Sequence, residues 1–105
     1  MRMVARFTVP AAEIASWLPA AELALSALSH QAGFLSGEIA AAIDQEDLWL
    51  LTCHWSSVGD YRRALSAFEV KRDAVALLYG AIDEPTAFEA IRHATSAGME
   101  VFESA

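Results

Sequence analysis

The chain has 105 residues and a net charge of −7, with 14 acidic against 7 basic side chains and no basic run. That balance argues against nucleic acid and against anionic membrane surfaces as partners. The single cysteine, Cys53, excludes an internal disulfide and fits a reducing, cytoplasmic setting.

One domain is expected over 1–105, with a core across 3–92 and a weakly patterned tail over 93–105. Hydrophobic residues make up 55% of the chain and the mean hydropathy is +0.31. So apolar a surface suggests that part of it is covered by a partner. No apolar stretch approaches the ~20 residues of a membrane span. The opening Met1-Arg2-Met3 does not lead into a signal peptide, because the apolar run is short and is broken by Arg6 and Glu13.

Met3 to Val9 alternates as a first strand, and Pro10 ends it. From Ala11 to His30, residues Ile14, Trp17, Leu18, Ala21, Leu25 and Leu28 form one apolar helical stripe. Pro19 lies inside that stripe and is expected to kink the helix or split it. Gly33 supplies a left-handed stop. Phe34 to Ile43 reads as a second strand, and Asp44-Gln45-Glu46-Asp47 as a hairpin connection.

Leu48 to Trp55 is the third strand, apolar almost throughout, with Trp49 and Trp55 near its two ends. A strand without clean alternation is covered on both faces. Ser57 with Asp60 predicts a capped helix to about Ser66. Ser66 with Glu69 predicts a further segment, carrying Val70, Ala74, Leu77 and Leu78 and stopping at Gly80. Thr86 to Arg92 reads as the last strand.

The order βαββαβ predicts an α+β, ferredoxin-like domain: a four-stranded antiparallel sheet with both helices on one face. Phasing by two places Ala5, Phe7, Leu35, Ile39, Trp49, Leu51, Cys53, Trp55, Phe88 and Ala90 under the helices. The opposite set is Arg6, Thr8, Ser36, Glu38, Leu50, Thr52, His54, Glu89 and Ile91, and it has no cover from this chain. A second copy packed on that open face, a homodimer through the sheet, would cover it. The alternative for its charged members is a place in water near strand ends.

Three stretches resemble the antibiotic biosynthesis monooxygenase family of dimeric α+β barrels. They are Ala32-Gly33-Phe34-Leu35-Ser36-Gly37, the run from Leu50 through Trp55 to Leu65, and Ile82-Asp83-Glu84-Pro85-Thr86-Ala87-Phe88-Glu89. The resemblance spans residues 3 to 92. It implies a cofactor-independent monooxygenase of a small aromatic or quinol-like compound, with no metal. The rival it leaves is a non-catalytic small-molecule-binding or accessory protein of the same fold. Its haem-degrading branch uses an axial His, a pocket Trp and an Asn. Ungapped alignment puts Asp73, Ala64 and Ala5 there, which argues against haem degradation.

Phe7, Trp17, Trp49, Trp55 and Tyr61 are the expected pocket walls, and the plain alternative for each is a core position. His54 is the expected acid–base group, because imidazole titrates near neutral pH. Its alternative is a hydrogen-bonded histidine inside the dimer. His30 is expected to complement the end of the first helix, His93 to be exposed, and Cys53 to be a buried, inert thiol. The three histidines are not spaced as a metal site, and no glycine-rich phosphate loop is present.

Overall fold

The computed structural model describes residues 1–102. Its sheet is built on β3 (Leu48–Trp55), which pairs antiparallel with β1 (Arg2–Thr8) on one side and with β2 (Phe34–Ala41) on the other. A short β4 (Ala87–Phe88) flanks β1, giving the order β2-β3-β1-β4. This is the ferredoxin-like α+β sheet expected from the element order.

Alternation decides what each strand contributes to the core. Met3, Ala5, Phe7, Leu51, Cys53 and Trp55 point to one face and are all buried. Four helices pack on that face: α1 (Ile14–Ser29), α2 (Val58–Leu65), α3 (Phe68–Asp73) and α4 (Val75–Leu78). Ala21, Ala24, Ala27 and Leu28 are the fully buried stripe of α1. Small side chains there let the helix sit close to the sheet. On the opposite face Val4, Leu48 and Leu50 are only half-buried, while Thr52 is buried with its hydroxyl donating to the Met3 carbonyl at 2.9 Å.

Two turns anchor α2. Gly33 adopts φ +87°, and its carbonyl accepts from the Ser56 N–H at 2.8 Å. Ser57 caps α2, its Oγ accepting from the Asp60 N–H at 3.1 Å. The Asp60 carboxylate accepts from Ser56 Oγ and from Arg63 Nη2, both at 2.5 Å. These bonds, the Ser56 one foremost, hold the Asp60 carboxyl below the usual carboxylate range.

Several expectations are corrected. Pro19 does not split the first helix: a 3-10 turn at Ala11–Glu13 leads into α1, which runs unbroken through Pro19. Both Pro19 and Ala15, whose carbonyl loses its partner, are exposed, so water can satisfy that carbonyl. Ser66 ends α2 rather than capping the next segment, which starts after Ala67 with no side-chain cap. The register of β2 slips between Phe34 and Ser36, so Phe34 faces the helices and Leu35 is 58% exposed. Phe88 lies opposite Arg2 and is half exposed, while Ala87 lies opposite the core residue Met3. Phe88 is therefore on the open face. The last strand is short because Phe88 already sits across from Arg2, the first residue of β1. Ala90, Glu89 and Ile91 lie beyond it.

The tail is more regular than its composition suggested. β5 (Arg92–Thr95) and β6 (Gly98–Val101) form an antiparallel hairpin of exposed residues, turned at Gly98 with φ +145°. The rest of the expected tail, 103–105, lies outside the described residues.

Candidate functional site

The alternation of β3 separates the expected site residues. Cys53 and Trp55 face the helices, and His54 between them faces the open side of the sheet. The five expected aromatic walls are all on the helix side. His54 therefore does not share a pocket with them.

The aromatics form two groups at opposite ends of β3. At one end Phe7 meets Trp17 at 5.3 Å and Trp17 meets Trp49 at 5.6 Å. At the other end Phe34 meets Trp55 edge-on at 5.4 Å, and Trp55 meets Tyr61 at 5.8 Å. Such tilted contacts are those favoured by ring quadrupoles. The indole N–H groups of Trp49 and Trp55 are buried with no acceptor among the described residues. A buried unpaired donor is costly, so each is a place where an acceptor would be stabilised.

The second group opens outward. Tyr61 and Leu65 lie one turn apart on α2, and across from them stand Lys71 on α3, Val75 and Leu78 on α4, and Tyr79. They line a half-open apolar cavity of about 460 Å³. That volume suits a small molecule. Tyr61 is 9% exposed and forms the floor; Tyr79 is exposed at the rim. Burial raises the Tyr61 phenol above its ordinary pKa, partly opposed by a hydrogen bond with Thr86. The phenol is therefore a proton-bearing donor at neutral pH. Of the residues in this cavity only Tyr61 was expected. Val70, Ala74, Leu77 and Leu78 had read as one core stripe, and they do pack on the core, Val70 and Ala74 fully buried; Leu78 also reaches the cavity.

His54 lines a different space. A groove of about 440 Å³ lies between the open face and the β5–β6 hairpin, bordered by Met1, His54, Glu89, His93, Glu100 and Phe102, among others. A smaller space of about 170 Å³ shares His54 and His93 and adds Arg2 and Phe88. Desolvation lowers the His54 pKa, aided by the positive amino terminus, Arg2 and His93. The amino terminus itself donates to the Trp55 carbonyl at 3.2 Å. The proximity of His93 to His54 was not visible in the sequence.

His30 caps the end of α1 and meets Glu69 at 2.7 Å, so it ties α1 to α3. Cys53 is buried, and burial pushes its thiol up to about 12, as befits an inert thiol. Among the described residues no cluster of three or more His, Cys, Asp or Glu side chains is arranged to hold a metal ion. The residues do not fit haem either. Asp73, in the axial position, accepts from Arg72 Nη2 at 2.7 Å and Nε at 2.8 Å, which lowers its carboxyl pKa. Ala64 and Ala5 are buried methyl groups with nothing to donate.

The fold is thus a ferredoxin-like α+β sheet, with an apolar cavity on its helix side and a histidine groove on its open side. No protein-family model and no curated protein matches the sequence. Solved structures do match the fold, and several of them are described as antibiotic biosynthesis monooxygenases or as cofactor-independent oxygenases. SnoaB, a cofactor-independent oxygenase from Streptomyces nogalater, superposes with a TM-score of 0.65 at 23% identity, covering 77% of this chain and 82% of its own. A protein from Deinococcus radiodurans, provisionally described as an antibiotic biosynthesis monooxygenase, gives 0.62 at 18%, covering 86% and 98%. A conserved protein from Methanosarcina mazei Go1 gives 0.66 at 14%, covering 82% and 84%. Identities this low establish a shared fold.

Proposed function

We propose that this chain is a cofactor-independent monooxygenase of a small aromatic or quinol-like compound, bound in the Tyr61–Tyr79 cavity. The observation that carries the reading is the contact between Trp55 and Tyr61, which joins an apolar cavity to a buried, unpaired indole N–H in a fold shared with a cofactor-independent oxygenase. In such a reaction the substrate supplies all the electrons. A ring carbon bearing two hydrogens in the keto tautomer loses a proton to solvent to give an electron-rich enolate, and the peroxide anion formed later takes a proton back. The enolate passes an electron to dioxygen, and the radical pair joins in a C–O bond to give a hydroperoxide. Loss of water breaks the O–O bond and leaves a carbonyl, so one oxygen atom ends in product and the other in water. The neutral Tyr61 phenol is suited to stabilising the enolate oxygen by hydrogen bonding. The lining is aliphatic and phenolic apart from Lys71, so few polar groups face the intermediate.

Dimerisation through the open face belongs to the same reading. It would cover Val4, Leu48 and Leu50 and enclose the groove of His54 and His93. No helix of the described residues is long and apolar enough to cross a membrane, and the buried free thiol suits a cytoplasmic enzyme.

Oxygen uptake with a panel of naphthalene and anthracene hydroquinols and anthrones tests the proposal. Uptake above the uncatalysed rate, at one dioxygen per substrate, is expected, and filling the cavity with Leu78→Trp should reduce it. The rival reading, a binding or accessory protein, is favoured by the separation of His54 from the aromatic walls. Ligand binding without uptake across the panel would establish that rival and overturn the enzyme.

A further inference from the structure

We infer that the helix-side cavity selects an aromatic carboxylate, through the ammonium of Lys71; this rests on the reading of the Tyr61–Tyr79 cavity as a small-molecule site. Among the residues described around that cavity, Lys71 carries the only formal charge, and the rest are aliphatic or phenolic. Nearby acids that might neutralise it are engaged elsewhere: Asp60 with Arg63, Glu69 with His30, and Asp73 with Arg72. No ion pair of Lys71 is found among the described residues.

The wider charge distribution agrees. The chain is strongly acidic, yet four of its seven basic residues, Arg62, Arg63, Lys71 and Arg72, fall on α2 and α3, against the acids Asp60, Glu69 and Asp73. With Arg63 and Arg72 paired to Asp60 and Asp73, this side is close to neutral, so an anion meets less repulsion here than from the chain as a whole. An apolar chamber with one cation at its border suits a ring system bearing one negative group. The rings would lie on Tyr61, Leu65 and Leu78, and the carboxylate would reach outward to Lys71. A charge-assisted hydrogen bond at an apolar border is stronger than one in open water.

Calorimetric titration of the full chain with 2-naphthoate and with its neutral isostere 2-naphthamide tests this. The wild type should bind the carboxylate about fivefold more tightly than the amide. Lys71→Gln should abolish that preference while leaving amide affinity within about twofold, and Lys71→Arg should retain it. The preference should also shrink as salt rises, since it is electrostatic. Lys71 is exposed, so neither variant should disturb the fold. Equal binding of both ligands by the wild type, or equal weakening of both by Lys71→Gln, would overturn the anion preference alone. Binding of neither ligand would overturn the cavity reading and this inference with it.

Discussion

The rings of Trp55 and Tyr61 meet at 5.8 Å with their planes inclined by 57°. Six positions apart in sequence, they face one another because the chain turns at Ser56 and Ser57 from a strand into a capped helix. Trp55 is 1% exposed, so its ring supports Tyr61 from inside while Tyr61 presents its outer side to the cavity.

Truncating Trp55 therefore tests structure and site together. Trp55→Ala should cost about 3–5 kcal/mol in denaturant unfolding, the range for large core aromatics. Trp55→Phe should cost less, because most of the packing survives. If the indole N–H serves a bound ligand, Trp55→Phe should weaken ligand affinity by more than its loss of stability explains. A Trp55→Ala variant as stable as wild type would show that the packing of this ring contributes little.

Gly33 and Asp60 give a sharper backbone prediction. A Cβ at Gly33 would meet Asp60 side-chain atoms at 2.5 Å, and φ +87° is strained for any L side chain. Asp60 cannot move aside without giving up Ser56 and Arg63. Gly33→Ala should destabilise by about 1–3 kcal/mol. Adding Asp60→Gly removes the collision, because the Asp60 Cβ is itself among the atoms at 2.5 Å, but not the strain, so the double variant should lose less than the sum of the singles. Strict additivity would mean that Asp60 does not oppose the new methyl group.

Much of this was legible in the residues, and the failures have specific causes. Leu48–Trp55 announced itself as the central strand because a run apolar on both faces has to be covered twice. Ser57 and Gly33 were legible because caps and left-handed turns are local chemistry. The bulge between Phe34 and Ser36 was not, since one irregular step inverts the phase and nothing in the side chains marks it. The brevity of β4 depends on where β1 starts opposite Phe88, which is a matter of register between distant segments. The hairpin at Arg92–Thr95 and Gly98–Val101 carries polar and apolar residues without a buried face, so it left no alternating pattern. The cavity depends on how α2 is placed against α3 and α4, and the pairing of His54 with His93 on the placement of that hairpin. The separation of His54 from Trp55 was in the alternation itself, yet naming both as parts of one site passed over it.

His54 makes a prediction with a definite sign. Its folded pKa lies below 6.5, chiefly through desolvation and then through the positive charges around it. Protonation is therefore harder in the folded chain than in the unfolded one. The resulting contribution to stability is intact above pH 6.5 and is lost as pH falls through the lower folded value. Part of the fall in Tm between pH 7 and pH 5 should thus vanish in His54→Gln, measured by circular dichroism melting. An unchanged pH dependence would assign the acid sensitivity to other groups.

The open face of the sheet gives the last prediction. On that face Val4, Leu48 and Leu50 are half-buried, neither packed away as core nor freely exposed. Phe88 at its edge is half exposed because its register turns it away from the helices. Arg6 on β1, beside Leu50, is already held by Glu84 at 2.7 Å, so its charge needs no further partner for this face to be covered. The apolar middle of the face, bordered by polar side chains, has the pattern of an interface centre and rim. Leu50 is central, placed between Arg6 on β1 and Ala40 on β2. Light scattering coupled to size exclusion at micromolar concentration should give twice 11.3 kDa. Leu50→Arg should bring the mass down to a single chain while far-ultraviolet circular dichroism stays that of the wild type, because the core on the helix side is untouched. The melting temperature should then lose its dependence on protein concentration. A wild-type mass of 11.3 kDa at the same concentration would overturn the dimer. A Leu50→Arg variant that remains a dimer would move the interface off this face.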